Sequence, residues 1–199
     1  MTDQLAFDFG GYEPHRPKRP ERLFFAVFPD TETAVNIGRL ADTFLCSRGL
    51  SGKRHQTERL HLSLQFVGDY QRLPSGIVFA ARRAGEAVAA RAFEIALRAI
   101  GSFESPPGRD QRPLVLLGDG DGLSALHRAL GTAMQTNGLK AGTYFVPHVT
   151  LSYGPWAIPL EKVGPIRFVA DHFSLVHSLR GLTRYEVLGR WLLRHRRPR

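Results

Sequence analysis

Two short stretches carry the residue types for proton transfer at neutral pH. One is His61-Leu62-Ser63-Leu64, the other His148-Val149-Thr150-Leu151. Each reads His, aliphatic, hydroxyl residue, Leu, and the second copy lies 87 positions beyond the first, from 61 to 148 and from 63 to 150. An aromatic follows five residues after each His, Phe66 and Tyr153, and a glycine closes each run, Gly68 and Gly154. Imidazoles exchange protons near pH 7. One of a pair can therefore take a proton from an attacking oxygen while the other gives one to a leaving oxygen. The two hydroxyls can hydrogen-bond the non-bridging oxygens of the group between them. Four such groups around one tetrahedral centre suit a phosphate ester, and in-line attack needs base and acid on opposite sides. An ester already strained, such as a 2′,3′-cyclic phosphate, needs no metal.

Other chemistries are less well supported. A single His-x-Thr is common in cores and on surfaces; the matched duplicate argues for function. Neither motif contains Asp or Glu, so a carboxylate-assisted triad is not signalled. Ser63 lacks the glycines of a nucleophile elbow. The two histidines have no evident third zinc ligand, and no Cys/His cluster has zinc spacing. Gly118-Asp119-Gly120-Asp121-Gly122 lacks the remaining acidic ligands of a calcium loop. No metal and no cofactor are expected. His55, His127, His172 and His177 read as single surface or satisfied-core histidines.

Each motif lies in an alternating apolar segment and so reads as a strand. Alternation puts His61, Ser63 and Gln65 on one face, with Leu62, Leu64 and Phe66 on the other. The second copy divides in the same way, His148, Thr150 and Ser152 against Val149, Leu151 and Tyr153. The run 23–28, Leu-Phe-Phe-Ala-Val-Phe, predicts a central strand. Asp30 or Thr31 caps a helix with Val35, Ile37, Leu40, Ala41, Phe44 and Leu45 on one stripe. Helices are also predicted over 77–90 and 123–134, and 93–117 predicts a hairpin. Residues 155–165 read as a connection, while 166–179 and 182–193 read as two strands of a C-terminal hairpin around Arg180-Gly181.

Strands and helices without regular βαβ alternation predict an α+β fold. Each half offers a helix and then a His strand. The expected architecture is therefore bilobal with pseudo-twofold symmetry: each lobe an antiparallel sheet with outer helices, and a cleft between the lobes. Residues 1–20, punctuated by Pro14, Pro17 and Pro20, read as a tail; 21–193 as a single bilobal domain; 194–199 as a basic tail. The chain has 199 residues and is 43% apolar, enough for a sizeable core. A net charge of +9 favours polyanionic partners, nucleic acid above all. A lone cysteine, Cys46, fits a reducing cytoplasm, and no run of about 18 apolar residues predicts a membrane span. A cytoplasmic monomer is expected.

The paired motifs resemble the 2H phosphoesterase superfamily, named for two His-x-Thr/Ser motifs. Within it the chain is similar to the RNA 2′,3′-cyclic phosphodiesterase (2′-5′ RNA ligase) family. The segments that carry the likeness are 22–27 (Arg-Leu-Phe-Phe-Ala-Val), 60–68 around His61, 147–151 around His148, and 175–191 from Leu175 to Trp191. The resemblance implies RNA ends or nucleotides with a 2′,3′-cyclic phosphate as substrates, hydrolysed to a 2′-phosphate. It implies His61 as proton donor to the leaving oxygen, His148 as proton acceptor from water, and Ser63 and Thr150 as phosphate ligands. An RNA 5′-hydroxyl in place of water would give 2′-5′ ligation. Two departures stand out. Ser63 replaces the usual Thr, which keeps the hydroxyl. Tyr153 stands where members often carry Arg, so either another arginine, with Arg184 as the candidate, supplies the charge, or the substrate differs. Phe25, Phe28 and Tyr153 read first as core packing and second as rings that could stack a base; the basic end reads as a solvated tail or as a segment that steers RNA. Two alternatives remain open: an RNA-binding module without turnover, and the same chemistry on a small cyclic-phosphate metabolite.

Overall fold

A computed structural model describes residues 17–104 and 110–194. Most of the expected leader and basic end lies outside these residues, as does most of the loop after Phe103. The strands are β1 (Glu21–Val27), β2 (Lys53–Arg54), β3 (Leu62–Tyr70), β4 (Phe93–Ser102), β5 (Arg112–Asp119), β6 (His148–Gly154), β7 (Glu161–Ala170), β8 (His172–Leu179) and β9 (Arg184–Leu192). The helices are α1 (Thr31–Cys46), α2 (Ser75–Ala87) and α3 (Asp121–Thr136), and a single 3-10 turn covers Thr57–Arg59. Asp30 caps α1: its carboxylate accepts the Thr33 N–H at 2.8 Å and the Thr33 hydroxyl at 2.7 Å.

The α+β expectation holds. The two separate sheets expected for the lobes are, however, one antiparallel sheet in the order β7-β4-β5-β6-β3-β1-β8-β9, with β2 on β6. The joint is narrow. The His strands β3 and β6 meet in one residue pair, Leu62 with Val149. Outward from it the order is β3-β1-β8-β9 on one side and β6-β5-β4-β7 on the other.

The helices do not stay with their own halves. α1 follows β1 but packs against β6 and β7, whereas α3 follows β5 and packs against β3 and β4. α2 packs on α3, β8 and β9. One continuous core results, in which Phe25 and Leu62 share a cluster with Ile37, Leu97, Leu126 and Val149. α1 and α3 thus each pack beneath the other half's His strand. Among the described residues no helix is long and apolar enough to cross a membrane.

The predicted strand 166–179 is in fact two strands, parted at Asp171. β7 takes the outer edge beside β4, and β8 takes the place between β1 and β9. A two-residue step spans only about 7 Å, so the sheet must curl to bring these ends together. β7 also begins inside the predicted connection. Pro165 is accommodated because β7 is an edge strand and because pairing skips from Ile166 to Lys162 at that point.

Candidate active site

The pair Leu62–Val149 sets the geometry of the His motifs. Both side chains are fully buried toward the helices, so their chain neighbours face the other way. Continuing the antiparallel register by one residue in each direction puts His61 alongside Thr150 and Ser63 alongside His148. Cross-strand neighbours are about 4.5–5.5 Å apart at Cβ. The four groups therefore form a two-by-two array on the open face of the sheet.

Each imidazole is oriented in the same way. The Nδ1–H of His61 donates to the Arg59 carbonyl at 2.7 Å, and that of His148 to the Val146 carbonyl at 2.8 Å. In both cases the acceptor lies two residues upstream. A carbonyl can only accept, so Nδ1 carries the proton of the neutral ring and Nε2 keeps its lone pair. His61 Nε2 accepts from the Ser63 hydroxyl at 3.1 Å. The ring is enclosed by Phe24, Phe28 and Tyr185, with centroids 5.0, 5.7 and 5.6 Å away. Desolvation by these rings pushes the His61 pKa down to about 4; the charges of His55, His148 and Arg59 act in the same direction.

Simple alternation fails after the hydroxyls, and fails identically in both strands. β3 bulges at Leu64, where pairing with β1 steps from Ser63 to Gln65, and β6 bulges at Leu151, where pairing with β5 steps from Thr150 to Ser152. Leu64 and Leu151 occupy equivalent positions in the two motifs. Gln65 and Ser152, expected beside the histidines, are buried on the helix side at 2% and 0% exposure. Phe66 and Tyr153, expected inside, emerge on the cleft face.

His61, Ser63, His148, Thr150 and Tyr153 line one cleft of about 990 Å³. Arg184 is not among its lining residues; it pairs with Glu186 at the start of β9. The cleft's cations are Arg22, Arg54, Arg59 and Arg180 instead. Arg22 binds Asp69 with two bonds of 2.7 and 2.8 Å and holds its carboxyl below the ordinary range. Arg180 also reaches Asp69, at 3.2 Å, and Arg54 pairs with Asp42. Arg59 differs from these. Its guanidinium lies 4.4 Å over the Tyr185 ring, its Nε is buried without a hydrogen-bond partner, and no acidic partner is found for it among the described residues. Arg59 closes the 3-10 turn that leads into His61, so strand alternation in the sequence does not point to it. His55, read from the sequence as a surface or satisfied-core histidine, also lines the cleft, 5.6 Å from the Tyr153 ring. Phe28 contacts His61, whereas Phe25 is fully buried and cannot reach a base. Among the described residues no group of three or more His, Cys, Asp or Glu side chains is placed to hold a metal ion.

Comparison with known proteins yields a family and a set of similar folds. The model of the 2'-5' RNA ligase superfamily matches residues 29–182. A search of curated protein sequences finds no match. Among solved structures, a crystal structure described only as a phosphoesterase is 25% identical with a TM-score of 0.69, covering 88% of this chain and 99% of its own. E. coli LigT complexed with NADP+ is 25% identical with a TM-score of 0.67, and LigT complexed with phosphate is 25% identical at 0.68; both alignments cover 88% of this chain and 99% of LigT.

Proposed function

The chain belongs to the 2'-5' RNA ligase superfamily, and we propose that it hydrolyses the 2′,3′-cyclic phosphate end of RNA, or of a nucleotide, to a 2′-phosphate without a metal ion. The observation that carries this reading is the register of β3 and β6. It sets two identically anchored imidazoles and two hydroxyls on one sheet face, related by a local twofold through Leu62–Val149. That E. coli LigT takes up phosphate and NADP+ supports a phosphate-bearing ligand for this cleft.

In the proposed reaction the phosphate lies between the two Nε2 atoms. His148 takes a proton from water, whose oxygen attacks phosphorus. The bond from phosphorus to O3′ breaks, and protonated His61 gives its proton to O3′. The Ser63 and Thr150 hydroxyls donate to the non-bridging oxygens; for this Ser63 exchanges its bond to His61 for one to phosphate. Arg59 supplies the charge for which members of the family often carry an arginine at the position of Tyr153. Replacing water by an RNA 5′-hydroxyl gives a 2′-5′ linkage at the same site, in the reverse sense of its cleavage. The direction, with His61 as donor and His148 as acceptor, follows the family likeness.

The test is turnover of 2′,3′-cyclic nucleotides and cyclic-ended RNA in EDTA. Wild type is expected to release the 2′-phosphate, with kcat reduced on the order of 10²–10⁴-fold in His61→Ala and in His148→Ala. RNA binding without turnover would instead identify a binding module, and loss of turnover in EDTA would refute the metal-free reaction.

A further inference from the structure

A second hollow, of about 630 Å³, adjoins the cleft and shares Ser63, Phe66 and His148 with it. Its other walls come largely from the segment leading into the second His motif, including Lys140, Tyr144 and Phe145. Two aromatic side chains stand out into solvent here: Tyr144 is 87% exposed and Phe66 53%. Lys140 is exposed, with no acidic partner found among the described residues.

The wall is built firmly. Gln65, turned inward by the bulge of β3, accepts the Gly142 N–H at 2.9 Å and donates to the Gly142 carbonyl at 3.1 Å. Its amide also donates to His127 Nε2 at 2.9 Å. His127 in turn stacks on Phe145, with centroids 4.4 Å apart and planes 10° apart. Tyr144 is thus carried between two pinned neighbours.

Exposed aromatic faces with a nearby cation match what single-stranded nucleic acid requires: a surface for a base and a charge for the backbone. The geometry points to a subsite for the next nucleotide of an RNA strand, its base on Tyr144 and its phosphate near Lys140, while the reacting end occupies the cleft. This rests on the cyclic phosphodiesterase reading for the identity of that end. It makes a strand, rather than a mononucleotide, the preferred substrate.

The test compares a 2′,3′-cyclic mononucleotide with a short oligoribonucleotide carrying the same cyclic end. Wild type is expected to favour the strand in kcat/KM by on the order of 10-fold or more, since one stacked base contributes about 1–3 kcal/mol. Tyr144→Ala should remove most of that advantage and leave the mononucleotide within about twofold; Tyr144→Phe should retain it. Lys140→Ala should flatten the salt dependence for the strand only. Equal rates on both substrates in wild type, or equal losses on both in Tyr144→Ala, would overturn the subsite. If wild type turns over neither, the activity reading fails by itself. The subsite is then decided by affinity for a strand ending in a 2′-phosphate against a nucleoside 2′-phosphate, where it requires tighter binding of the strand that Tyr144→Ala abolishes.

Discussion

His61 combines a fixed tautomer with an apolar enclosure, and its titration should report on the cleft. Its pKa of about 4 lies below its ordinary 6.5 because the charged ring is poorly solvated among Phe24, Phe28 and Tyr185. An anion between the imidazoles opposes that penalty. Inorganic phosphate should therefore raise the His61 midpoint, measured by NMR of the imidazole protons; an unchanged midpoint would argue against anion binding between the histidines. The same shift has a consequence for stability. A depressed folded-state value means that the unfolded chain binds more protons between pH 6.5 and about 4. The contribution is complete above pH 6.5 and is lost as pH falls toward 4. His127, also depressed by desolvation, acts in the same direction. Arg59 offers a second test. Its carbonyl orients His61 and its guanidinium charges the cleft, and only the latter is lost in Arg59→Ala. KM for the cyclic phosphate should rise and kcat/KM fall about 10–100-fold, the scale of one hydrogen bond to a charged group. Adding Tyr153→Arg, which places a second cation on the cleft wall, should recover part of the loss.

At the scale of elements, the matched bulges at Leu64 and Leu151 divide the labour of the His strands. Before the bulge, side chains alternate between cleft and core. After it, a polar residue turns inward and an aromatic turns out. In β3 the inward residue is Gln65, which ties the strand to α3 through His127 and to the approach of β6 through Gly142. Gln65→Leu keeps the bulk and removes these bonds, leaving His127 Nε2 buried without a partner. It should cost about 1–3 kcal/mol and lower Tm by several degrees, read by calorimetry. An unchanged Tm would mean the clamp contributes nothing net.

For the whole molecule, the crossing of α1 and α3 makes each half's core incomplete without the other. β3 and β6 meet in one residue pair and the outer ends in one further bridge, Arg91 with Arg194, so the shared core, more than strand pairing, holds the halves in register across the cleft. The chain has two tryptophans, and they fall on opposite sides: Trp156 follows β6, and Trp191 lies in β9 against Phe25 and Phe173. Single-tryptophan proteins made by Trp156→Phe and Trp191→Phe should show denaturant midpoints that each coincide with loss of far-UV circular dichroism in the same protein. Separate midpoints for the two probes would show that the halves unfold independently.

The histidines and hydroxyls that the structure brings together in the cleft were legible in the sequence because residue type and local spacing pick them out. His-x-Ser and His-x-Thr share a face in any strand, and their duplication needs no fold to be noticed. The α+β class and most elements were legible for the same local reason, periodicity. What tertiary structure decided is everything set by pairing. The register Leu62–Val149 makes two half-motifs one array. The bulges reverse the expected places of Gln65 and Phe66, which strict alternation cannot anticipate because a bulge is defined against a partner strand. The break at Asp171 carries no glycine or proline and appears only because β7 and β8 find different neighbours. Arg59 faces the cleft for a similar reason: the Tyr185 ring on which its side chain stacks arrives from a distant part of the chain, whereas Arg184 is held by its own strand neighbour Glu186.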